Sequence, residues 1–536
     1  MSSFDVPDIN PDAKPEFTDS NACAAWLQTL PLINVGPSHG RLLGQLAELN
    51  GADVPPAERL KILELLRGPV VFVQTEHAKK FASRPAPLSR PEREIFKNVK
   101  ALWDALSLGY QHCLRAVADG GSGLAGLTAL LCQRVLWCTG QKISNFYEAY
   151  QDLEENDWKL LHRVYAFAEE RDVADDEVGH PARQSKVETN CIETYAHVLL
   201  LNLANPNEQG PRQIALISRW LERWARRVSI ARTPRAAGNG AAPLVVDLAS
   251  GAGTSRRPAT GDTIRFLEIG AISKSVRKRI ALLRQGESPV SLRLGDDVAP
   301  SVAENLLVML YRRWCEDGQT RVQPRRSASG TAQVCSGVGA MHFFITGRPF
   351  LPKGDSRVSS KVQHEEIATF GRVAKPQGND QVAAPGYALE TWQIHEESLS
   401  GFRLERLDPA ANSRLTLNQL VAVRPADAKG FLLCVVRWLS VSAEFELRVG
   451  VRTLPGMPVG VTIRAGGVNA PAEANVPALM LPAVAALQAP DTLVLSIGWF
   501  RPKRIIEVWT DKAHQMVLTT VVERGADFER VTFDSL

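Results

Sequence analysis

Apolar residues recur at steps of three and four through most of the first 230 residues. In "PRQIALISRWLERWARRVSI", Ile214, Ile217, Leu221, Trp224 and Val228 fall on one stripe, and Pro211 stands where a helix begins. The same spacing joins Ile192, Tyr195, Leu199 and Leu203, and again Trp158, Leu161, Val164 and Tyr165. Longer helices are predicted over 92–118 and 123–152. Short Gly, Pro and Asn breaks between them favour antiparallel helix packing. No fixed-period repeat is found, so no named solenoid is implied.

From about residue 320 the period changes to two. "TWQI" alternates Trp392 and Ile394 with polar partners, and "GFRLERL" alternates Phe402 and Leu404 with Arg403 and Glu405. In "FELRVGV", Phe445, Leu447, Val449 and Val451 share a face, whereas "FLLCVVRWL" is the continuous run of a strand covered on both sides. The stretch "TAQVCSGVGAMHFFITG" reads as the first β run, and "TLVLSIGWF", "RIIEVWT" and "QMVLTTVVE" as the last strands. Many short strands between turns predict a closed antiparallel barrel. The fold class expected is therefore multidomain α+β: an all-α N-terminal region, a C-terminal antiparallel β-barrel and additional C-terminal strands. The expected divisions are a helical domain at 1–231, a linker at 232–261 opening with "RTPRAAGNGAAP", and a mixed α/β connecting segment at 262–317. The barrel follows at 318–465 with a polar insertion at about 352–386, then a β extension at 466–536.

Composition changes this picture little. At 536 residues, 45% apolar and 22% charged, the chain is ordinary globular protein of roughly two to four domains. A net charge of +4 is too mild for a protein that coats nucleic acid. Eight cysteines without CxxC pairs fit a reducing compartment. The acidic, proline-bearing start is no signal peptide, and no apolar run approaches the ~20 residues of a membrane helix. A cytoplasmic protein without membrane insertion is expected.

Three motifs invite chemistry and fail on context. "LVVDLASGAGT" (244–254) resembles a methyl-donor loop, but "SRRPATGD" follows where a βαβ helix must start. Gly121, Gly123 and Gly126 spell GxGxxG after a helical stretch, which is better read as a helix C-cap. "HEE" at 364–366 and 395–397 lacks zinc-ligand spacing. No metal, cofactor or catalytic set is identified, and an enzyme is not expected.

Two clusters remain. Arg312, Arg313, Arg321, Arg325 and Arg326 crowd fifteen residues ahead of the first β run, and the hairpin at 395–402, "HEESLSGF", carries two acids, two serines and a glycine. The Arg-x-x-x-Arg pair of Arg321 and Arg325 in "RVQPR", with Glu396, Ser398 and Gly401 in "EESLSG", resembles the PilZ domain family. "RLTLNQLVAVRP", "GFLLCVVRWL" and "FELRVGV" fit its later strands. The resemblance implies a PilZ-type barrel that binds cyclic di-GMP through Arg321, Arg325, Arg326, Glu396, Ser398 and Gly401, and relays that bacterial second messenger to an unidentified protein partner in motility, type IV pilus or biofilm control.

The residue types suit that ligand. Arginine forks pair with guanine O6 and N7 or clamp a phosphate, and a carboxylate accepts from guanine N1 and N2. This sequence departs from the family in having Glu396 where Asp or Asn is usual, and in the seventy or so residues between the arginines and the hairpin. The alternative reading is a ligand-free PilZ-type barrel on an α-helical protein-interaction scaffold.

Overall fold

The computed structural model describes residues 4–120, 123–180, 188–234, 242–316, 326–348, 350, 387–408, 413–466, 475–510 and 512–536. They divide into two compact units, 1–322 and 323–536.

The first unit is built on helices α1 (Ser20–Gln28), α2 (Val35–Gly51), α3 (Pro56–Ala78), α4 (Arg90–Ala118), α5 (Thr128–Glu148), α6 (Glu155–Glu170), α7 (Cys191–Leu203) and α8 (Pro211–Trp224). Local chemistry sets their ends. Asp19 accepts from Ala22 N at 2.9 Å to start α1, Glu92 Oε2 accepts from Ser89 N at 2.8 Å to start α4, and Asn190 accepts from Glu193 N at 2.8 Å to start α7. Pro211 opens α8 as its sequence predicts. The α8 stripe does not run as helix to Val228; a 3₁₀ turn, Ala225–Arg227, interrupts it and leaves Val228 buried in the same core. That core is continuous from Phe4 to Cys315 and holds the fully buried Tyr110, Tyr195 and Trp220.

Small strands β1 (Val178–Gly179), β2 (Glu188–Thr189), β3 (Ser229–Ala231), β4 (Leu244–Asp247) and β5 (Ile264–Glu268), then α9 (Gly270–Arg284) and α10 (Pro300–Cys315), complete this unit. Strand β4 pairs antiparallel with β5, so "LVVDLASGAGT" does not open a parallel βαβ unit. Its glycines serve packing instead. A Cβ on Gly251 would stand 2.0 Å from Glu155 Cγ, and one on Gly253 would stand 2.5 Å from Asn202 Oδ1. In "GGSGLAG", Gly120 (φ 78°) follows the last turn of α4, the left-handed cap that ends a helix.

The second unit carries β6 (Arg326–Ser336), α11 (Val338–Thr346), β7 (Glu390–Ser398), β8 (Gly401–Arg406), β9 (Leu420–Pro425), β10 (Leu432–Val441), β11 (Leu447–Thr453), β12 (Val459–Ala465), β13 (Val476–Leu481), β14 (Thr492–Ser496), β15 (Ile505–Trp509), β16 (Ala513–Arg524) and β17 (Phe528–Ser535). All of its strand pairs are antiparallel, and they close two barrels: β10-β11-β8-β7-β6-β9 and β12-β13-β14-β17-β16-β15. The C-terminal strands expected as an extension thus form a barrel of their own. It begins at Val459, because β12 pairs with β13 and β15 and not with the first barrel. Pro455, Gly456 (φ 97°) and Pro458 end the preceding strand and permit that break.

The predicted first β run also ends early. Beyond Ser336, Gly337 (φ 87°) turns the chain, and "VGAMHFFIT" forms α11, packing on β6, β12 and β13. Met341 of α11 enters a core shared by both barrels with Leu433, Leu479 and Phe528. Phe445, placed by alternation on a strand, has φ 66° and belongs to the turn before β11. No helix among the described residues is long and apolar enough to cross a membrane. The expected insertion at 352–386 lies outside the described residues.

A candidate binding wall on the first barrel

The hairpin turn is held by its own serines. Ser398 Oγ lies 3.2 Å from Ser400 Oγ and donates to Gly401 O at 3.3 Å, while Leu399 at the tip is exposed. Gly401 is required by the neighbouring strand. It pairs with Arg452 of β11, and a Cβ there would stand 1.9 Å from the Val451 carbonyl oxygen. The close approach that Gly401 permits is therefore to the barrel's own backbone.

A bulge decides which way Glu396 points. Register shifts between Ile394↔Leu404 and Glu396↔Arg403, leaving His395 as the extra residue of β7. Before the bulge, Trp392 and Ile394 face the interior with Leu404, all nearly fully buried. After it, Glu396 shares a face with Arg403, which alternates with Leu404 and so lies outside. His395 Nε2 lies 2.6 Å from Glu405 Oε2. Without the inserted residue, the strand period would turn Glu396 inward.

Strand pairing extends this outer row. Ser327 of β6 lies opposite Glu396, Arg403 of β8 follows, Gly450 of β11 lies opposite Arg403, and Trp438 of β10 lies opposite Gly450. Arg403 Nη1 donates to Glu396 Oε1 at 3.1 Å, both side chains being half-buried. Arg403 Nε is shielded and has no hydrogen-bond partner among the described residues. The Trp438 indole lies over Gly450: a Cβ on Gly450 would stand 1.8 Å from its Nε1 and 2.3 Å from Cε2. The row thus presents a carboxylate, a guanidinium and a flat aromatic ring.

Of the residues singled out by sequence, Glu396, Ser398 and Gly401 come together on the hairpin. Arg326 lies opposite Glu397, so alternation puts it on the other face of the sheet from Glu396. Arg321 and Arg325 lie outside the described residues. Arg403 and Trp438 were missed by sequence reasoning. One signal could have found them: Gly450 interrupts an alternating strand, which marks a close approach by a neighbouring group. A cavity of about 180 Å³ near Val334, Glu390 and Trp392 lies toward the opposite ends of β6 and β7 and takes no part in the wall.

Comparison with known proteins supplies the relationship. The family model described as the N-terminal domain of the cyclic-di-GMP receptor FimW matches residues 21–235, and the FimW C-terminal β-barrel domain matches 461–536. The chain belongs to the FimW family, of PilZ type. The first FimW model covers the helices from α1 to α8 and the second covers the second barrel, whose β12 starts two residues earlier, at Val459. The barrel bearing the wall lies between these two matches. The cyclic-di-GMP receptor FimW of Pseudomonas aeruginosa is 24% identical over 525 residues, covering 88% of this chain and 82% of that protein.

Proposed function

We propose that this chain is a cyclic di-GMP receptor, not an enzyme, and that its first barrel holds the dinucleotide on the outer row of Glu396, Arg403 and Trp438. The observation that carries this reading is the contiguity of those three side chains across β7, β8 and β10. Glu396 accepts from guanine N1 and N2, the Arg403 guanidinium donates to a base or phosphate oxygen, and the indole stacks on the base. Ser398 adds a hydroxyl at the edge of the row, and Gly401 keeps the hairpin against β11. Arg321 and Arg325 supply the Arg-x-x-x-Arg pair, and Arg326 is left outside the row. The signal passes to a protein partner in motility, pilus or biofilm control. The name of the Pseudomonas relative supports the choice of ligand.

The Glu396–Arg403 ion pair favours a second reading, in which the acceptor is already satisfied and the barrel is a ligand-free part of a scaffold. Calorimetric titration with cyclic di-GMP decides between them, with cyclic di-AMP and GTP as controls. The receptor reading expects micromolar or tighter binding of cyclic di-GMP alone, and loss of it in Glu396→Lys, which leaves the guanine donors unpaired at about 1–3 kcal/mol. Absence of binding by a wild-type protein with an intact circular dichroism spectrum selects the scaffold.

A further inference from the structure

A cavity lined by described residues lies in the helical unit, where the proposed receptor chemistry has no use for it. It encloses about 650 Å³, within the range of ligand sites. Helix α5 forms its floor through Gln133, Trp137, Gln141, Ser144 and Glu148, spaced as one helical face. From Gln133 to Glu148 this stripe runs roughly 22 Å at 1.5 Å per residue, the length of about six or seven residues of extended chain. Helices α3 and α4 wall one side, and α7 and α8 the other.

The cleft is lined by both signs, with Glu148, Glu188, Glu193 and Glu222 beside Lys79, Arg219 and Arg226. Its rim cations are already bridged: Arg226 Nε to Glu193 at 3.3 Å, Arg219 to Asp297 at 2.6 Å and Lys79 to Glu76 at 2.5 Å. Glu148, at the end of the floor, accepts from Asn145 Nδ2 at 3.2 Å, whose Oδ1 in turn accepts from Trp103 Nε1 at 3.0 Å. The carboxylate is thus oriented by an amide and an indole, and no ion pair joins it to a cation among the described residues. Burial raises its carboxyl above the ordinary value, against the Asn145 hydrogen bond. On the opposite wall His197 lies 3.0 Å from Ser218 Oγ, and burial, with His180 nearby, lowers its imidazole to about 4. The His197 imidazole is therefore neutral at pH 7. Elsewhere in the lining, Trp103 and Trp137 meet edge to face at 5.4 Å, an aromatic surface for the docked segment.

We propose that this cleft docks an extended segment of a partner protein, seating the cationic head of an arginine or lysine side chain against Glu148. Length argues for a peptide over a small molecule, and the oriented, uncompensated carboxylate for a basic residue within it. The proposal stands independently of cyclic di-GMP binding.

The test uses the full chain without nucleotide and blocked heptapeptides, acetyl-Ala-Leu-Ala-X-Ala-Leu-Ala-amide, followed by calorimetry and tryptophan fluorescence. With X as arginine or lysine, saturable binding is expected. Citrulline, which keeps the shape and loses the charge, should bind about tenfold or more weakly, as should glutamate. Glu148→Gln should abolish that preference and Glu148→Asp should retain part of it, with melting curves confirming the fold. Equal affinity for arginine and citrulline peptides, absence of binding by both, or an unchanged preference in Glu148→Gln would each overturn the proposal. N-butylguanidine is the small-cation control. If it binds as tightly as the arginine peptide, the cleft is a small-molecule site and the partner reading fails.

Discussion

Gly450 offers the sharpest handle on the wall, because it is the seat of the Trp438 indole and has no proposed contact with the dinucleotide itself. Alanine at 450 would place a methyl carbon 1.8 Å from Nε1 and 2.4 Å from Cδ1 of Trp438, far inside van der Waals contact. The ring is half-exposed, so it can swing away. The free protein should then lose about 1 kcal/mol of stability, a typical single-substitution cost. Ligand binding should suffer more. A base stacked on an aromatic side chain contributes about 1–3 kcal/mol, or a factor of roughly 5 to 150 in affinity. Gly450→Ala and Trp438→Ala should therefore weaken cyclic di-GMP by similar factors, and Trp438→Phe by less. Calorimetry gives the constants, and ligand-induced quenching of tryptophan emission should vanish in Trp438→Ala. If Gly450→Ala binds as wild type does, the indole is no platform and the wall reduces to Glu396, Ser398 and Arg403.

Two further outcomes follow from the packing. Gly401→Ala should destabilise the first barrel by about 1–3 kcal/mol or more, since the clash is with a backbone carbonyl; hydrogen exchange should show β8 and β11 opening, and a wild-type melting curve would refute the close approach. In the helical unit, burial, with His39 and Lys80 nearby, lowers His77 to about 4, so the unfolded chain binds its proton first and stability falls as pH drops from about 6.5 towards 4. His77→Phe keeps the stack on His39 and should narrow the melting-temperature gap between pH 7 and pH 5; an unchanged gap would mean that His77 does not titrate against the fold.

What could be read in the sequence was what depends on local period. The stripes of α6, α7 and α8 sit where spacing put them, because one apolar face against one core is a local rule. Alternation likewise revealed β7 and β8. It could not distinguish the end of one barrel from the start of another, since β12 alternates in the same way whichever sheet it joins. Nor could it assign "VGAMHFFIT", apolar at nearly every position and thus without any period. The wall was half legible. Glu396 and Ser398 are neighbours in sequence and Arg403 faces Glu396 across the same hairpin once the bulge sets the register, whereas Trp438 joins them only through pairing with β11, a long-range register that no local pattern encodes.

The bulge at His395 bears on the longer acid at Glu396. A family preference for Asp or Asn suggests that an extra methylene carries the carboxylate past its target. Here the strand has been re-aimed by one inserted residue, and Arg403 meets the displaced carboxylate at 3.1 Å. A half-exposed pair of this kind contributes only about 0–1 kcal/mol, so exchanging it for guanine donors costs little. The exchange would also release the Arg403 guanidinium, turning a restraint on the hairpin into a contact with the ligand. The same ion pair that suggests a satisfied, silent barrel is thus one that a doubly hydrogen-bonding base can displace.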